Sequence, residues 1–535
     1  MYLLAALNAL ASLLYSEGRR ATLRYAALLL LVSAVMRCPT LLMHNFNVDE
    51  AIYTSMATEM LDGALYFRDV VDHKPPGIYY IYAAVYAISG RYNLHAIHVT
   101  LFITVALTGL LLCFLGRRLF GEQGHRAGRL AGLLYVVVGA TGPPMDFQAA
   151  NAELFMNLPI VAALLSYVQT RQQAGRWGYL WAGLILSCGA LIKFQAGFVV
   201  LAIALHLLWT RPPRLAPLLL GLVGLLIPFA SHAALYLGLD AWDAMWWGLT
   251  FNTRYVSASG VGFQLMRALI RSLVFLGLAF PLLIPAAAFA VGRGGRGEPG
   301  TPRRLAWRFL LAWLLTAAAA VSVGGRYFLH YYIQLMPPLA LMGSERLLQW
   351  SAGRRWLPRL AAALVGLNAL TWITVSFLDR PLRPHETWHY DRYAAVGRYV
   401  QQHTSPDARI FVWGDSPNIY LWSRRRMGTR YLWVNYQVGR IWGTIYDAVD
   451  GPDPPPHLIA HETWPPLLRD LERNLPELII DAGAGGLDEF DRLPLGRFPR
   501  VAAIVSSHYT LKTRVLGVPI YRRTRRPPAE QEGRP

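Results

Sequence analysis

Long apolar runs alternate with short polar stretches from about residue 25 to residue 378. Most of these runs can cross a bilayer core, which takes roughly 20 residues of helix. The run at 177–209 is too long for one crossing and has arginines at both ends, so it predicts two helices that turn near Lys193. In total, the pattern predicts a polytopic α-helical membrane protein with about eleven transmembrane helices.

Beyond residue 378 the pattern changes, because no apolar run there is long enough to cross a membrane. Helix-like stretches at 390–403 and 467–475 alternate with strand-like ones at 409–413, 477–481, 501–505 and 514–521. This alternation predicts a small soluble α/β domain with a largely parallel sheet. We therefore predict a membrane domain at 1–378, with an outer-side loop at 44–92, and an extracytoplasmic α/β domain at 379–535 whose tail from Arg525 is disordered.

Composition supports this division. The chain of 535 residues is 54% hydrophobic and only 16% charged, which excludes a water-soluble globule of this size. Its formal net charge of +19 comes largely from arginines in alternate loops, at 19–24, 117–129, 171–176, 211–214, 293–304 and 346–359. Such loops face the cytoplasm, so the N-terminus is expected inside and the C-terminal domain outside. The charge indicates contact with anionic lipid and no nucleic acid partner.

The outer-side loop after the first span carries the most unusual chemistry in the sequence. It reads Asn-Val-Asp-Glu at 47–50 and Asp-His-Lys-Pro-Pro-Gly at 72–77. Charged side chains beside membrane spans are costly to desolvate, which favours a chemical or transport function for them. A structural alternative is that Asp49 and Glu50 only stabilise the start of a helix near Ala51, where acids meet the helix dipole.

Lysine is rare in this chain, since only three of its 51 basic residues are lysines. Two of them, Lys74 and Lys193, fall at predicted outer-side turns. A compact ammonium group suits a phosphate ligand, and Pro75 and Pro76 would fix the direction of the Lys74 side chain. The alternative is an interfacial lysine that reaches the lipid headgroups without binding a ligand.

Further polar residues fall on the same outer side. Asp146 and Glu153 share the second outer loop, and Arg326, His330 and Tyr331 precede a late span. The guanidinium of Arg326 suits a phosphate, with the other two residues one helical turn beyond it. An ordinary belt of interfacial side chains is the alternative for these three.

Together these elements resemble the bacterial members of the protein O-mannosyltransferase and aminoarabinose transferase superfamily, which are GT-C glycosyltransferases. The resemblance rests on the order of five elements along nearly the whole chain. They are the acidic pair at 49–50, the Asp-x-Lys-Pro-Pro-Gly element at 72–77, Asn-Ala-Glu at 151–153, Gly-Arg-Tyr-Phe-Leu-His-Tyr at 325–331 and Val-Trp-Gly-Asp-Ser-Pro at 412–417.

The resemblance implies a membrane enzyme that moves a hexosyl or pentosyl group from a polyprenyl-phosphate donor to an acceptor outside the bacterial plasma membrane, with inversion. A protein, a lipid or an envelope glycan remains open as the acceptor. Such a reaction needs a carboxylate that takes the acceptor proton. It also needs cations or hydrogen-bond donors that stabilise the departing phosphate.

These needs assign roles to the candidates. Asp49 is the predicted base, and Glu50, the second member of the catalytic pair, is expected to orient the loop, because adjacent helical residues do not share a face. The predicted ligands of the donor phosphate are Lys74, Lys193, Arg326, His330 and Tyr331. Asp72, Asp146 and Glu153 are predicted to hold the acceptor or to support the lysines. No obligatory metal is expected, with a divalent cation as the alternative.

A secondary transporter or a lipid-linked sugar flippase is the rival class. Transporters typically have repeated halves with broken helices at corresponding positions. This sequence has no visible repeat, and its charged elements concentrate on one side of the membrane. We therefore expect an enzyme, and expect the outer domain to help select the acceptor.

Overall fold

The computed structural model describes residues 16–42, 47–173, 175–210, 215–251, 253, 260–292, 301–353, 356–378, 384–447, 451–488 and 490–524. It forms two compact units. The first comprises 1–50, 74–252 and 259–382, and the second comprises 51–73, 253–258 and 383–535. The predicted tail from Arg525, the start of the predicted outer loop at 44–46, and the loops at 211–214 and 293–300 lie outside the described residues.

All regular secondary structure in the described part of the first unit is helical. Its helices are α1 (Arg19–Arg37), α2 (Val48–Leu61), α3 (Gly77–Ser89), α4 (Leu94–Leu119), α5 (Gly124–Val138), α6 (Pro144–Phe147), α7 (Ala152–Gln173), α8 (Trp177–Ile192), α9 (Val199–Leu208), α10 (Leu215–Gly238), α11 (Trp242–Phe251), α12 (Val261–Leu278), α13 (Phe280–Val291), α14 (Pro302–Ser322), α15 (Met336–Gly353) and α16 (Leu357–Phe377). Short 3₁₀ helices occupy Phe194–Phe198 and Leu329–Leu335. Helix α2 continues from the first unit into the second after Glu50.

Seven helical segments in the described residues are long and apolar enough to cross a membrane. They are Arg19–Leu41, Leu94–Leu119, Pro144–Gln173, Leu215–Gly238, Val261–Leu278, Pro302–Ser322 and Arg359–Phe377. Shorter apolar helices occupy Gly77–Ser89, Trp177–Ile192, Phe194–Leu208 and Phe280–Val291. The expected break at Lys193 is present, because α8 ends at Ile192 and the next helix begins at Phe194. The count of about eleven spans stays a prediction.

Small residues let α4 and α5 pack closely. A Cβ on Gly128 would lie 2.2 Å from the carbonyl oxygen of Cys113, and one on Gly132 would lie 2.3 Å from that of Gly109. Only glycine permits this approach, which is typical of helix contacts inside membranes. The fully buried side chain of Arg129 lies at this contact, over the ring of Tyr25.

The second unit is an α/β domain. Beyond residue 383 its elements are α17 (Pro384–His403), β1 (Arg409–Trp413), α18 (Asn418–Ser423), β2 (Arg426–Met427), α19 (Asn435–Val438), α20 (Trp464–Asn474), β3 (Leu478–Asp481), α21 (Pro499–His508), β4 (Tyr509–Val515) and β5 (Val518–Arg523). The strand order is β2-β1-β3-β5-β4. Strands β2, β1 and β3 are parallel, whereas β5 and β4 are antiparallel, so the sheet is mixed and not largely parallel as predicted.

Two predicted strands are wrong. Residues 501–505 lie in α21, which begins at Pro499 and buries Val501 and Val505 one turn apart. The predicted strand at 514–521 is a hairpin of β4 and β5 that turns at Leu516 and Gly517, both with positive φ. Such a turn usually contains Asn-Gly or Asp-Gly, and the absence of that signal explains the error.

Residues 51–73, placed in the membrane domain by sequence, cluster with the C-terminal residues. The backbone N–H of Val71 donates to the carbonyl of Arg430 at 2.9 Å, and Val71 forms a parallel bridge with Tyr431. The carboxylate of Glu59 accepts from the backbone N–H of Met427 at 2.7 Å. These contacts join the segment that precedes Lys74 in the chain to the rest of the second unit.

Candidate functional site

The first acid of the predicted site lies at the start of α2. The side chain of Asn47 accepts a hydrogen bond from the backbone N–H of Asp49 at 3.1 Å, which stabilises the first turn. Asp49 and Glu50 share this turn but face different surroundings: the Asp49 side chain is 16% exposed, and Glu50 is fully buried. Lys74 Nζ lies 3.3 Å from Asp49 Oδ1. We call Asp49 and Lys74 the first acid–lysine pair.

The Lys-Pro-Pro-Gly element leads directly into α3, and its glycine explains the local packing. A Cβ on Gly77 would lie 2.6 Å from the carbonyl oxygen of Leu191 near the end of α8. Only glycine permits this close approach of two backbones. The turn that carries Lys74 therefore packs against the helix end that leads into Lys193, so the two lysine-bearing turns lie together.

Glu153 and Lys193 form the second acid–lysine pair, in direct contact between Nζ and Oε1. Glu153 is only 1% exposed, and Lys193 Nζ lies 4.2 Å from the centre of the Tyr331 ring. The predicted alternative in which Glu153 orients Lys193 agrees with this contact.

His330 contacts both acids of the predicted second outer loop, Asp146 and Glu153. Its Nδ1 lies 2.8 Å from Asp146 Oδ1, and its Nε2 lies 3.9 Å from Glu153 Oε1. The backbone N–H of His330 also donates to Asp146 Oδ1 at 3.2 Å. Burial lowers the pKa of His330, but the charge of Glu153 and the hydrogen bond and charge of Asp146 outweigh burial, so the pKa is raised.

Glu50 joins the two segments that are predicted to be the first and second outer loops. Its Oε1 accepts from the backbone N–H of Ala150 at 2.8 Å and lies 3.3 Å from Nε2 of His98. The hydroxyl of Tyr82 donates to the carbonyl of Ala150 at 3.1 Å. The geometry agrees with an orienting function for Glu50 and adds His98 and Tyr82, which sequence reasoning missed because both lie within apolar helices.

Two predicted site residues lie elsewhere than expected. Arg326 precedes the 3₁₀ helix that begins at Leu329, so it does not share a helical face with His330 and Tyr331 as predicted. Asp72 belongs to the second unit, where it is fully buried. Its Oδ1 lies 2.8 Å from Nδ1 of His73 and accepts from the Tyr436 hydroxyl at 3.4 Å.

Helix α12 adds cations that sequence reasoning missed. Arg267 and Arg271 lie one turn apart within this span-length apolar helix. The guanidinium of Arg267 lies 5.2 Å from the centre of the Phe328 ring. Arginines inside a membrane span indicate function by default, so their position in the run at 261–278 was a signal available in the sequence.

The second unit contains two acids of its own, Asp415 after β1 and Asp488 after β3. Asp415 accepts hydrogen bonds from Asn435 at 2.9 Å and from Trp442 at 2.5 Å, and Asp488 accepts one from Ser416 at 2.5 Å. Burial, together with the charge of Asp488, raises the pKa of Asp415 to about 7. Burial also raises the pKa of Asp488 to about 6, against hydrogen bonds that lower it.

Comparison with solved structures covers nearly the whole chain. Crystal structures of ArnT from Cupriavidus metallidurans, apo and bound to undecaprenyl phosphate, superpose with TM-scores of 0.61 and 0.59. They cover 93% and 94% of this chain and 97% of their own, at 13% sequence identity. The chain has the fold of ArnT. This result confirms the predicted GT-C fold, a multi-pass helical membrane protein with a small C-terminal sheet.

Other comparisons are less extensive. A family model described as dolichyl-phosphate-mannose-protein mannosyltransferase matches residues 73–236, which include Lys74, Asp146, Glu153 and Lys193. The Archaeoglobus fulgidus oligosaccharyltransferase in complex with zinc and sulfate has a TM-score of 0.48 at 14% identity, over 93% of this chain and 73% of its own. No curated protein matches the sequence.

Proposed function

We propose that this chain is a membrane glycosyltransferase that moves a sugar from a polyprenyl-phosphate donor to an acceptor hydroxyl outside the membrane, with inversion. The observation that carries the proposal is the first acid–lysine pair, because it places a partly exposed carboxylate 3.3 Å from a rare lysine. The mannosyltransferase family match over 73–236 and the undecaprenyl phosphate bound by ArnT support a lipid-phosphate donor.

In this mechanism Asp49 is the general base. The acceptor oxygen attacks the anomeric carbon while its proton passes to the Asp49 carboxylate. The bond between the anomeric carbon and the phosphate oxygen breaks, and polyprenyl phosphate leaves with the bonding electron pair. A general base of this kind contributes about 10²–10⁴ in rate. The single displacement inverts the configuration at the anomeric carbon.

The phosphate is stabilised by cations on the turns that meet at Gly77 and Leu191. Lys74 is the principal ligand, and its ammonium lies 3.3 Å from the Asp49 carboxylate. Lys193, held by Glu153, and Tyr331 beneath it form a second side of this site. Arg326 and, on α12, Arg267 are further candidates for the donor phosphate, because guanidinium groups bind phosphates through paired hydrogen bonds.

Asp146, held by His330, is proposed to support the acceptor side. We propose a protein, a lipid or an envelope glycan as the acceptor, and the bacterial plasma membrane as the location, with a cytoplasmic N-terminus and an extracytoplasmic second unit. The second unit, which also holds Asp72, is proposed to help select the acceptor.

No obligatory metal is proposed. In the described part of the chain, no group of three or more His, Cys, Asp and Glu side chains is arranged to hold a metal ion. Full turnover in the presence of EDTA is the expected result. A loss of turnover that Mg²⁺ or Mn²⁺ restores would contradict the proposal.

The experiment that tests the function uses the purified full chain in lipid nanodiscs. A panel of polyprenyl-phosphate sugars and an envelope extract are supplied, and products are identified by mass spectrometry. We expect a covalently glycosylated product and free polyprenyl phosphate. Labelled sugar that crosses reconstituted vesicles without any covalent product would instead indicate the transporter class.

A further inference from the structure

Arg37 lies at the end of α1 and is completely buried. Its Nη1 donates to the carbonyl of Phe147 at 2.6 Å, and its Nη2 donates to the carbonyl of Gly139 at 3.1 Å. Both acceptors are neutral backbone carbonyls, and the Nε of Arg37 is buried without a hydrogen-bond partner among the described residues. A buried charge that only neutral groups bind is costly, so its retention calls for a specific function.

The two carbonyls that Arg37 binds stand at the two ends of one segment. We call residues 139–147 the second outer loop core. It begins where α5 ends and contains the short helix α6, which carries Asp146. Phe147, at the end of this core, follows Asp146 directly. One guanidinium therefore binds the backbone at both ends of this segment, and one of its acceptors directly follows the acid that contacts His330.

The side-chain amides of two asparagines also bind the second outer loop core. Asn47 Nδ2 donates to the carbonyl of Met145 at 2.8 Å, and Asn151 Nδ2 donates to the carbonyls of Met145 and Asp146 at 3.1 and 2.9 Å. Asn47 also stabilises the first turn of α2, where Asp49 lies. The second outer loop core is thus held by side chains on both sides, and Arg37 is the charged member of this set.

We propose that Arg37 is a positioning residue for glycosyl transfer, which fixes Asp146 against His330 by binding both ends of the second outer loop core. The effect on turnover rests on the proposed function, whereas the effect on the loop does not. Lysine cannot replace the fork, because a single ammonium is a point charge and does not span two carbonyls in a fixed geometry.

The test compares Arg37→Met with Arg37→Lys and with a matched control, Arg129→Met. Arg129 is equally buried, but its side chain lies against Tyr25 and Cys113, at the packing of α4 on α5. Hydrogen–deuterium exchange of the full-length protein is measured in nanodiscs. Loss of two charge-assisted bonds should speed exchange at 140–151 by about tenfold or more in Arg37→Met, and less in Arg37→Lys.

The second measurement compares the effect of each substitution on kcat with its effect on KM for the donor. We expect Arg37→Met to lower kcat by about a hundredfold, as a displacement of about 1 Å can do, while KM for the donor stays within about twofold. If Arg37→Met does not fold, Arg37→Lys must show a smaller increase in exchange that is confined to residues 140–151 and absent from Arg129→Met.

Unchanged exchange at 140–151 in a folded Arg37 variant would overturn the inference, as would an equal increase there in Arg129→Met. Because exchange is measured without substrate, it decides the inference even if the chain proves not to be a transferase.

Discussion

The two acid–lysine pairs of the first unit have the same chemistry in different surroundings. In the first pair the acid and the lysine are 16% and 19% exposed, whereas in the second pair Glu153 is 1% and Lys193 13% exposed. A general base must reach a substrate, so the first pair suits proton transfer. The second pair suits the positioning of its neighbours, because a buried carboxylate needs its cation as a permanent partner.

The largest expected effect comes from the acid of the first pair. Asp49→Asn removes the proposed base and should lower kcat by about 10²–10⁴ while donor binding is retained. Asp243→Asn, an exposed acid in the first turn of α11, is the control and should leave kcat unchanged. Turnover of Asp49→Asn at the wild-type rate, measured by product formation, would refute the assignment.

Substitution of the two lysines should change different quantities. Lys74 should affect KM for the donor, and Lys193 should affect the free energy of unfolding. Lys74→Met loses a charged phosphate contact and should raise KM for the donor by about tenfold to a hundredfold. Lys193→Met leaves Glu153 buried without its cation and should lower the free energy of unfolding by about 3–5 kcal/mol. Adding Glu153→Gln should recover part of that loss. If Lys74→Met mainly destabilises the protein and Lys193→Met mainly weakens donor binding, the functions assigned to the two acid–lysine pairs are wrong.

Gly77 connects the two pairs, so an added methyl group there should disturb both. Gly77→Ala places a Cβ 2.6 Å from the Leu191 carbonyl and should cost about 1–3 kcal/mol of unfolding free energy, with weaker donor binding. Gly197→Ala is the control, since a Cβ there meets nothing within 4 Å. Equal effects of the two substitutions on the melting temperature would contradict this account of the Lys-Pro-Pro-Gly element.

The smallest expected effect is a pH dependence of stability at the second pair. The pKa of His330 is raised by Glu153 and Asp146 against burial, so the protonated form stabilises the fold. This contribution is full below about pH 6.5, the usual value for histidine, and is lost as the pH rises through the raised pKa. The difference in melting temperature between wild type and His330→Gln should therefore shrink towards alkaline pH. A constant difference would argue against a charged His330.

Sequence patterns predicted the parts of the fold that depend on length and sidedness. The break at Lys193 followed from an apolar run too long for one helix. The GT-C fold was implied by the family resemblance that five polar elements carry. Patterns of five or fewer apolar residues carry less information, and α21 was therefore read as a strand. The contact between Glu153 and Lys193 joins residues 40 positions apart, and no local pattern encodes such a pairing.

The assignment of residues 51–73 shows the same limit. Their position between two apolar runs placed them with the membrane domain, but Glu59 and Val71 bind the backbone of the C-terminal unit. Backbone pairing of this kind depends on which backbone groups elsewhere in the fold are unpaired, so the residues on either side of 51–73 do not predict it.

The most direct test of the central claim is the anomeric configuration of the product. Donor of known configuration is supplied to the purified chain, and the linkage in the isolated product is determined by NMR, together with the amount of polyprenyl phosphate released. A single displacement assisted by Asp49 predicts complete inversion and one polyprenyl phosphate per sugar transferred. Retention of configuration would require a double displacement or a substitution on the same face of the sugar, and it would contradict the proposed mechanism.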